Sequence, residues 1–179
     1  MATKGGWAGK VLRVDLSSGR IWWEDTIEKY KDYPGGTGIG YKVIWDEVPA
    51  GTKPFDPGNK IIFAVGPLAG TGAPSSGRTA ITTLWPTCWP KPLVASGHMG
   101  GHFAAELKYA GYDALVIEGK AERPVWLSIA DKKVEIKDAV DCGGKEFDAP
   151  PMRSIDSWGL KRVSPLSDRQ GKTWFPCLW

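Results

Sequence analysis

Residues 10–16 (KVLRVDL) alternate apolar and polar positions, Ser17, Ser18 and Gly19 supply a turn, and residues 20–24 (RIWWE) resume an extended pattern. A β-hairpin is the economical reading of that opening. The polar stretch 25–34 (DTIEKYKDYP) is helix-like, and the glycine run 35–40 leads into a short helix in which Ile39, Val43, Ile44 and Trp45 roughly keep helical spacing until Pro49 ends it. Residues 60–65 (KIIFAV) read as a buried strand, and residues 66–77 (GPLAGTGAPSSG) hold too much glycine, proline and serine to be anything but loop. Arg78 begins a further strand, residues 86–92 (PTCWPKP) break it, and residues 93–95 are extended. A second helix is expected over residues 103–110. Phe103, Leu107 and Ala110 share one face there, and Gly111 stands where a left-handed terminator belongs. Residues 114–118 (ALVIE) return as a strand, and residues 124–130 with 134–137 form a second hairpin around residues 131–133.

These elements predict a β-rich α+β fold with two short helices and no internal repeat of solenoid type. From about residue 146 neither period survives, and Pro150, Pro151, Pro165 and Pro176 interrupt the chain. The expected organisation is a domain over residues 1–145 followed by a poorly ordered tail over residues 146–179.

Composition narrows the class. At 179 residues, 42% hydrophobic and 24% charged, the chain has material for one globular core. A net charge of +3 without long like-charged runs gives no footprint for nucleic acid. Cys88, Cys142 and Cys177 are odd in number and widely spaced, which suits a reducing, cytoplasmic setting better than a disulfide framework. No stretch has the length and apolarity of a signal core or a membrane span.

The chemistry concentrates in residues 96–102 (SGHMGGH), where both histidines of the chain flank glycines just before the second helix. Glycines there allow main-chain groups to approach a ligand, and a helix start adds unpaired N–H groups. The bland alternative is a tight turn with two half-exposed imidazoles. A zinc pair at His98 and His102 is disfavoured because Gly100 and Gly101 oppose a helix between them and no carboxylate or cysteine lies at ligand spacing. Arg78 follows Ser75, Ser76 and Gly77, so its guanidinium fork is unobstructed for an anion or a heteroatom edge; a surface ion pair is the alternative. The run 35–40 lacks the preceding strand that a dinucleotide fingerprint requires and reads better as a glycine-lined helix entry. Glu106, Asp113 and Glu118 are expected to do no more than solvate or cap, and the ten tryptophans to serve as core and surface aromatics.

The ordered motifs GWAGKVLRVDLSSGR, GGTGIGYKVIWDEVP, NKIIFAVGPLAGTGAPSSGR and GHMGGHFAAELKYAGYDALVIEGKAERPVWLSI resemble, over residues 6–145, the N-terminal domain of the tungsten-containing aldehyde:ferredoxin oxidoreductase family. The resemblance is to members with a His-Met-Gly-Gly motif, and residues 85–92 (WPTCWPKP) depart from it. It implies a two-sheet base for a bis-pterin tungsten or molybdenum cofactor. Arg78, His98, Gly100 and Gly101 are implied cofactor contacts, and the main-chain carbonyl of His98 an implied ligand of a magnesium ion bridging the pterin phosphates. It further implies oxidation of an aldehyde or related carbonyl compound, with electrons passing through a [4Fe-4S] cluster to a ferredoxin-like acceptor. Family members carry the cluster cysteines and the acid–base groups in later domains. The expectation is therefore a truncated product, or a cofactor-base subunit that acts with a partner carrying those domains. No catalytic residue is assigned to this chain.

Overall fold

The computed structural model describes residues 5–87, 90–130, 133–139 and 172–174. Along the chain run β1 (Lys10–Asp15), β2 (Arg20–Asp25), α1 (Thr26–Tyr30), α2 (Thr37–Glu47), β3 (Lys60–Val65) and β4 (Thr79–Trp85). They are followed by β5 (Leu93–Met99), α3 (Phe103–Tyr109), β6 (Ala114–Glu118), β7 (Val125–Ala130), β8 (Lys133–Asp138) and β9 (Lys172–Trp174). Six strands form one sheet in the order β2-β1-β6-β3-β4-β5, and β8-β7-β9 form a second. Both hairpins form as expected, with Lys10 opposite Asp25 and Val125 opposite Asp138. The main sheet is continuous because β6 inserts between β1 and β3, parallel to the first and antiparallel to the second.

The β-rich α+β expectation holds, with three helices in place of two. α1 forms from the polar stretch without an apolar stripe of any length. The Asp25 carboxylate caps it by accepting from the Glu28 N–H at 2.9 Å.

Layers cover both faces of the main sheet. On one, Leu12, Val14, Val65, Leu115 and Ile117 meet Phe103 and Leu107 of α3 and Leu127 and Ile129 of the second sheet. On the other, Val11, Ile62, Ala64, Ala114 and Val116 meet Tyr30, Ile39, Val43 and Ile44. Trp45, which the helical spacing grouped with these, points to solvent and is 86% exposed. An alternating strand normally keeps one face wet, yet β1 lies inside the sheet with cover on both sides, so Arg13 is buried. Its guanidinium donates to both carboxylate oxygens of Glu47, to Glu24 at 3.1 Å and to the Tyr30 hydroxyl at 3.2 Å.

α2 reaches the sheet closely because it presents Gly40 there. A Cβ at Gly40 would stand 2.3 Å from Thr82 Oγ1 and 2.6 Å from Thr82 Cβ. Thr82 is held in a central strand and its hydroxyl is 3.3 Å from that of Ser96, so it has little room to yield. Gly40→Val is expected to lower stability by ~1–3 kcal/mol through overpacking, read as a lower urea midpoint. An unchanged midpoint would mean that α2 does not sit on Thr82.

Within the tail, whose sequence carries no strand period, the described residues include β9. It pairs antiparallel with the outer edge of β7, Ser128 opposite Trp174 and Ala130 opposite Lys172. A hairpin edge offers main-chain donors and acceptors to any extended segment, whatever its side-chain period. The expected boundary at residues 145/146 and the rest of the tail lie outside the described residues.

Candidate functional site

β5 is longer than its sequence suggests. Residues 93–95 were expected to be extended before a glycine turn, but pairing runs unbroken from Trp85 opposite Leu93 to Thr79 opposite Met99. A complete antiparallel ladder with β4 overrides the weak strand preference of Gly97. The register sets the site. Arg78 immediately precedes β4, and Gly100 and Gly101 immediately follow β5, so residues about twenty positions apart in sequence meet at one end of an antiparallel pair.

His98 lies within β5, opposite Ala80, and shares the α2 face of the sheet with it. Met99 takes the other face and packs into the core beneath α3. The His98 imidazole is exposed, and as β5 ends the sheet, its outer main-chain groups have no strand beside them among the described residues. His102 is the N-cap residue of α3 and makes no side-chain capping bond. The two histidines therefore sit on different elements, not on one helix face. Among the described residues, no group of three or more His, Cys, Asp or Glu is placed to hold a metal ion.

The glycines of the site differ in why they are glycines. Gly101 has φ +93°, a conformation that L side chains avoid. Gly97 and Gly100 have no such φ, and a Cβ at either would meet nothing within 4 Å among the described residues. Among the described residues, neither strain nor packing accounts for them. The segments on either side of the site also lean together, with an added Cβ on Gly77 falling 3.6 Å from the Gly101 carbonyl oxygen.

The loop before Arg78 is bent sharply. Ser75 adopts φ 59°, left-handed for a residue that is not glycine, and the Ser76 hydroxyl donates to the Ala73 carbonyl at 2.7 Å. Arg78 itself is exposed and forms no hydrogen bond or ion pair with a described residue. Next to it, Thr79 is fully buried, and its hydroxyl has no hydrogen-bond partner among the described residues. An orphaned hydroxyl of this kind costs ~1–3 kcal/mol.

The run 35–40 is explained by packing. α1 and a turn precede it instead of a strand, and a Cβ at Gly35 would lie 2.8 Å from the Val65 carbonyl. The Gly36 N–H donates to that same carbonyl at 3.1 Å. It is a helix entry pressed against β3, not a dinucleotide fingerprint.

α3 ends as expected. Gly111, at φ 92°, lets its own N–H reach the Lys108 carbonyl and the Tyr112 N–H reach the Leu107 carbonyl, the paired bonds of a Schellman motif. The residue after Tyr112 was missed. Asp113 was expected to do no more than solvate or cap, but it is completely buried, accepting from the N–H groups of Ala8 at 2.9 Å and Gly9 at 2.7 Å and from the Thr26 hydroxyl at 2.8 Å. Lys108 completes the set by pairing with Asp113 while donating to the Gly6 carbonyl at 2.8 Å, with Trp7 beneath its ammonium. A charged residue between a helix terminator and the apolar run Ala114 to Ile117 is the one local sign that this carboxylate could not remain in water. Glu118 pairs with Lys60.

An unpaired guanidinium beside bare, exposed main chain suits a group that combines phosphate with a flat, heteroatom-rich ring. A pterin cofactor has that chemistry, and Arg78, Gly100, Gly101 and the backbone of His98 fit it.

The chain matches the family described as "Aldehyde ferredoxin oxidoreductase, N-terminal domain" over residues 11–157. It is 45% identical over 163 residues to the tungsten-containing aldehyde ferredoxin oxidoreductase of Pyrococcus abyssi, covering 90% of this chain and 26% of that protein. It is 34% identical over 143 residues to the aliphatic sulfonate oxidoreductase, WOR-like subunit, of Pyrococcus furiosus, covering 76% of this chain and 22% of the relative. Among solved structures, the active site complex BamBC of benzoyl coenzyme A reductase with 1,5-dienoyl-CoA contains a chain 43% identical to this one. The TM-score is 0.72, over 76% of this chain and 20% of that one. The chain thus spans about a quarter of the length of the curated relatives that it matches.

Proposed function

The chain belongs to the aldehyde ferredoxin oxidoreductase N-terminal domain family, and from that premise we propose that it is the pterin-supporting base of a tungsten or molybdenum oxidoreductase. One observation carries the assignment of the site: β4 and β5 bring the unpaired Arg78 to Gly100, a residue whose lack of a side chain nothing else in the described structure requires. When bound, the metallopterin would supply the two-electron redox chemistry. Arg78 would neutralise phosphate or pterin charge, Gly100 and Gly101 would offer close main-chain contacts, and the main-chain carbonyl of His98 would help to hold a magnesium ion between phosphates. That last role uses no side-chain atom of His98, which agrees with the exposed imidazole.

The reaction proposed is oxidation of an aldehyde or related carbonyl compound in the cytoplasm, with electrons leaving through a [4Fe-4S] cluster to a ferredoxin-like acceptor. The similar proteins are named for aldehydes, for aliphatic sulfonates and for benzoyl coenzyme A. The base is common to them, so the substrate would be selected by protein beyond the quarter of the relatives' length that this chain spans, on the same polypeptide or in a partner subunit. No helix among the described residues is long and apolar enough to cross a membrane.

Arg78→Ala is expected to lower the pterin content of the chain, produced in cells that make metallopterin, by about tenfold or more, as losing a charge-assisted contact should. Pterin released by oxidation and measured by fluorescence reads this. Wild-type content in the variant would remove Arg78 from the site.

A further inference from the structure

Thr79 is where the site and the core disagree. Its backbone is paired on both sides, to Val65 in β3 and to Met99 in β5, and its side chain shares their face of the sheet, towards α3. Valine has the same shape, suits a strand at least as well and would leave no hydroxyl without a partner. Threonine at a fully buried position is unfavourable in the arrangement seen among the described residues, which points to a second arrangement that supplies the missing hydrogen bond.

The neighbouring segment can do so. Gly100 and Gly101 follow directly on Met99, the cross-strand partner of Thr79, and are not held by packing. The peptide unit between two glycines can turn over by rotation about ψ of Gly100 and φ of Gly101 without a steric barrier from side chains. Both glycines are exposed, and turning the unit over reverses its N–H and carbonyl directions, which can bring one of them to the Thr79 side of the sheet.

Resting on the reading of this site as a pterin site, we propose that Thr79 is a positioning residue. Its hydroxyl has no partner while the site is free and captures the Gly100–Gly101 peptide when an anionic pterin engages Arg78 and that main chain. The preference of Thr79 for the turned peptide favours the bound arrangement over the free one, and the ligand shifts the population accordingly. The proposal involves no covalent or redox step.

The experiment uses the full 179-residue chain as wild type, Thr79→Val and Thr79→Ser, each produced in cells making metallopterin and also in cells that lack it. In the pterin-free preparation, Thr79→Val is expected to melt about 4 °C or more above wild type, because the orphan hydroxyl is gone. In the pterin-making cells it is expected to retain about tenfold less pterin, with Thr79→Ser restoring most of it, a loss of about 1.4 kcal/mol in binding. Amide hydrogen exchange at residues 100–102 should slow on pterin loading in wild type and not in Thr79→Val. A Thr79→Val chain that melts below wild type would show the hydroxyl to be partnered already and would overturn the proposal. So would wild-type pterin retention in that variant. Absence of pterin from the wild type itself would instead remove the pterin reading of the site, and this proposal with it.

Discussion

Asp113→Ala is expected to lose ~3–5 kcal/mol of stability, enough to unfold most of a marginally stable chain at room temperature. The carboxylate ties together the N-terminal segment, the start of α1 and the end of α3. Ala8 N–H and Lys108 meet Oδ1, while Gly9 N–H and the Thr26 hydroxyl meet Oδ2. Removing it leaves four donors, including a largely buried ammonium, without their acceptor. Asp113→Asn is expected to fare little better. Each oxygen receives two donors, so whichever one is replaced by an amide NH2 group faces donors with donors. Urea unfolding followed by tryptophan fluorescence measures both, and a midpoint for Asp113→Asn within error of wild type would show that the carboxylate is not the anchor described.

A comparable loss, also ~3–5 kcal/mol, is expected for Arg13→Ala, because Glu47, Glu24 and Tyr30 would then be left around a vacated buried cation. The pH dependence identifies the interaction. Burial is the largest single influence on Glu47 and acts to raise its pKa, but the hydrogen bonds and charge of Arg13, helped by Lys60, outweigh it and hold the carboxyl below its ordinary value near 4.5. On Arg13, burial likewise acts against the charge, and Glu47, Tyr30 and Glu24 together more than reverse it. A group with a depressed folded pKa binds fewer protons when folded than when unfolded. The stability that Glu47 contributes is therefore complete above about pH 4.5 and lost as the pH falls through its lower folded value. Wild type should weaken across that acid window, and Arg13→Ala should show a smaller acid slope from a lower starting stability. Equal slopes in the two proteins would mean that the pair does not contribute through its ionisation.

Much of the fold was legible because it is local. The two hairpins, the strand at residues 60–65 and the Gly111 terminator are each written within a few residues of chain, as alternation, a turn or an obligatory positive φ. At the candidate site, the glycines and the family resemblance singled out Arg78, Gly100 and Gly101, and the structure leaves all three exposed. Thr79 carried no such sign, since a threonine in a strand is ordinary until its hydroxyl is found without a partner.

Sequence by itself determined which segments extend, which turn and which glycines have to bend, because those properties depend on neighbouring dihedral angles and side-chain period. Only the tertiary structure decided that β6 lies between β1 and β3, that Arg13 and Asp113 are buried and matched, that His98 belongs to a strand, and that Arg78 stands beside Gly100. Each of these depends on main-chain pairing or charge matching between residues far apart in sequence. Backbone hydrogen bonds are the same for every residue but proline, and so leave no mark in the local pattern of side chains.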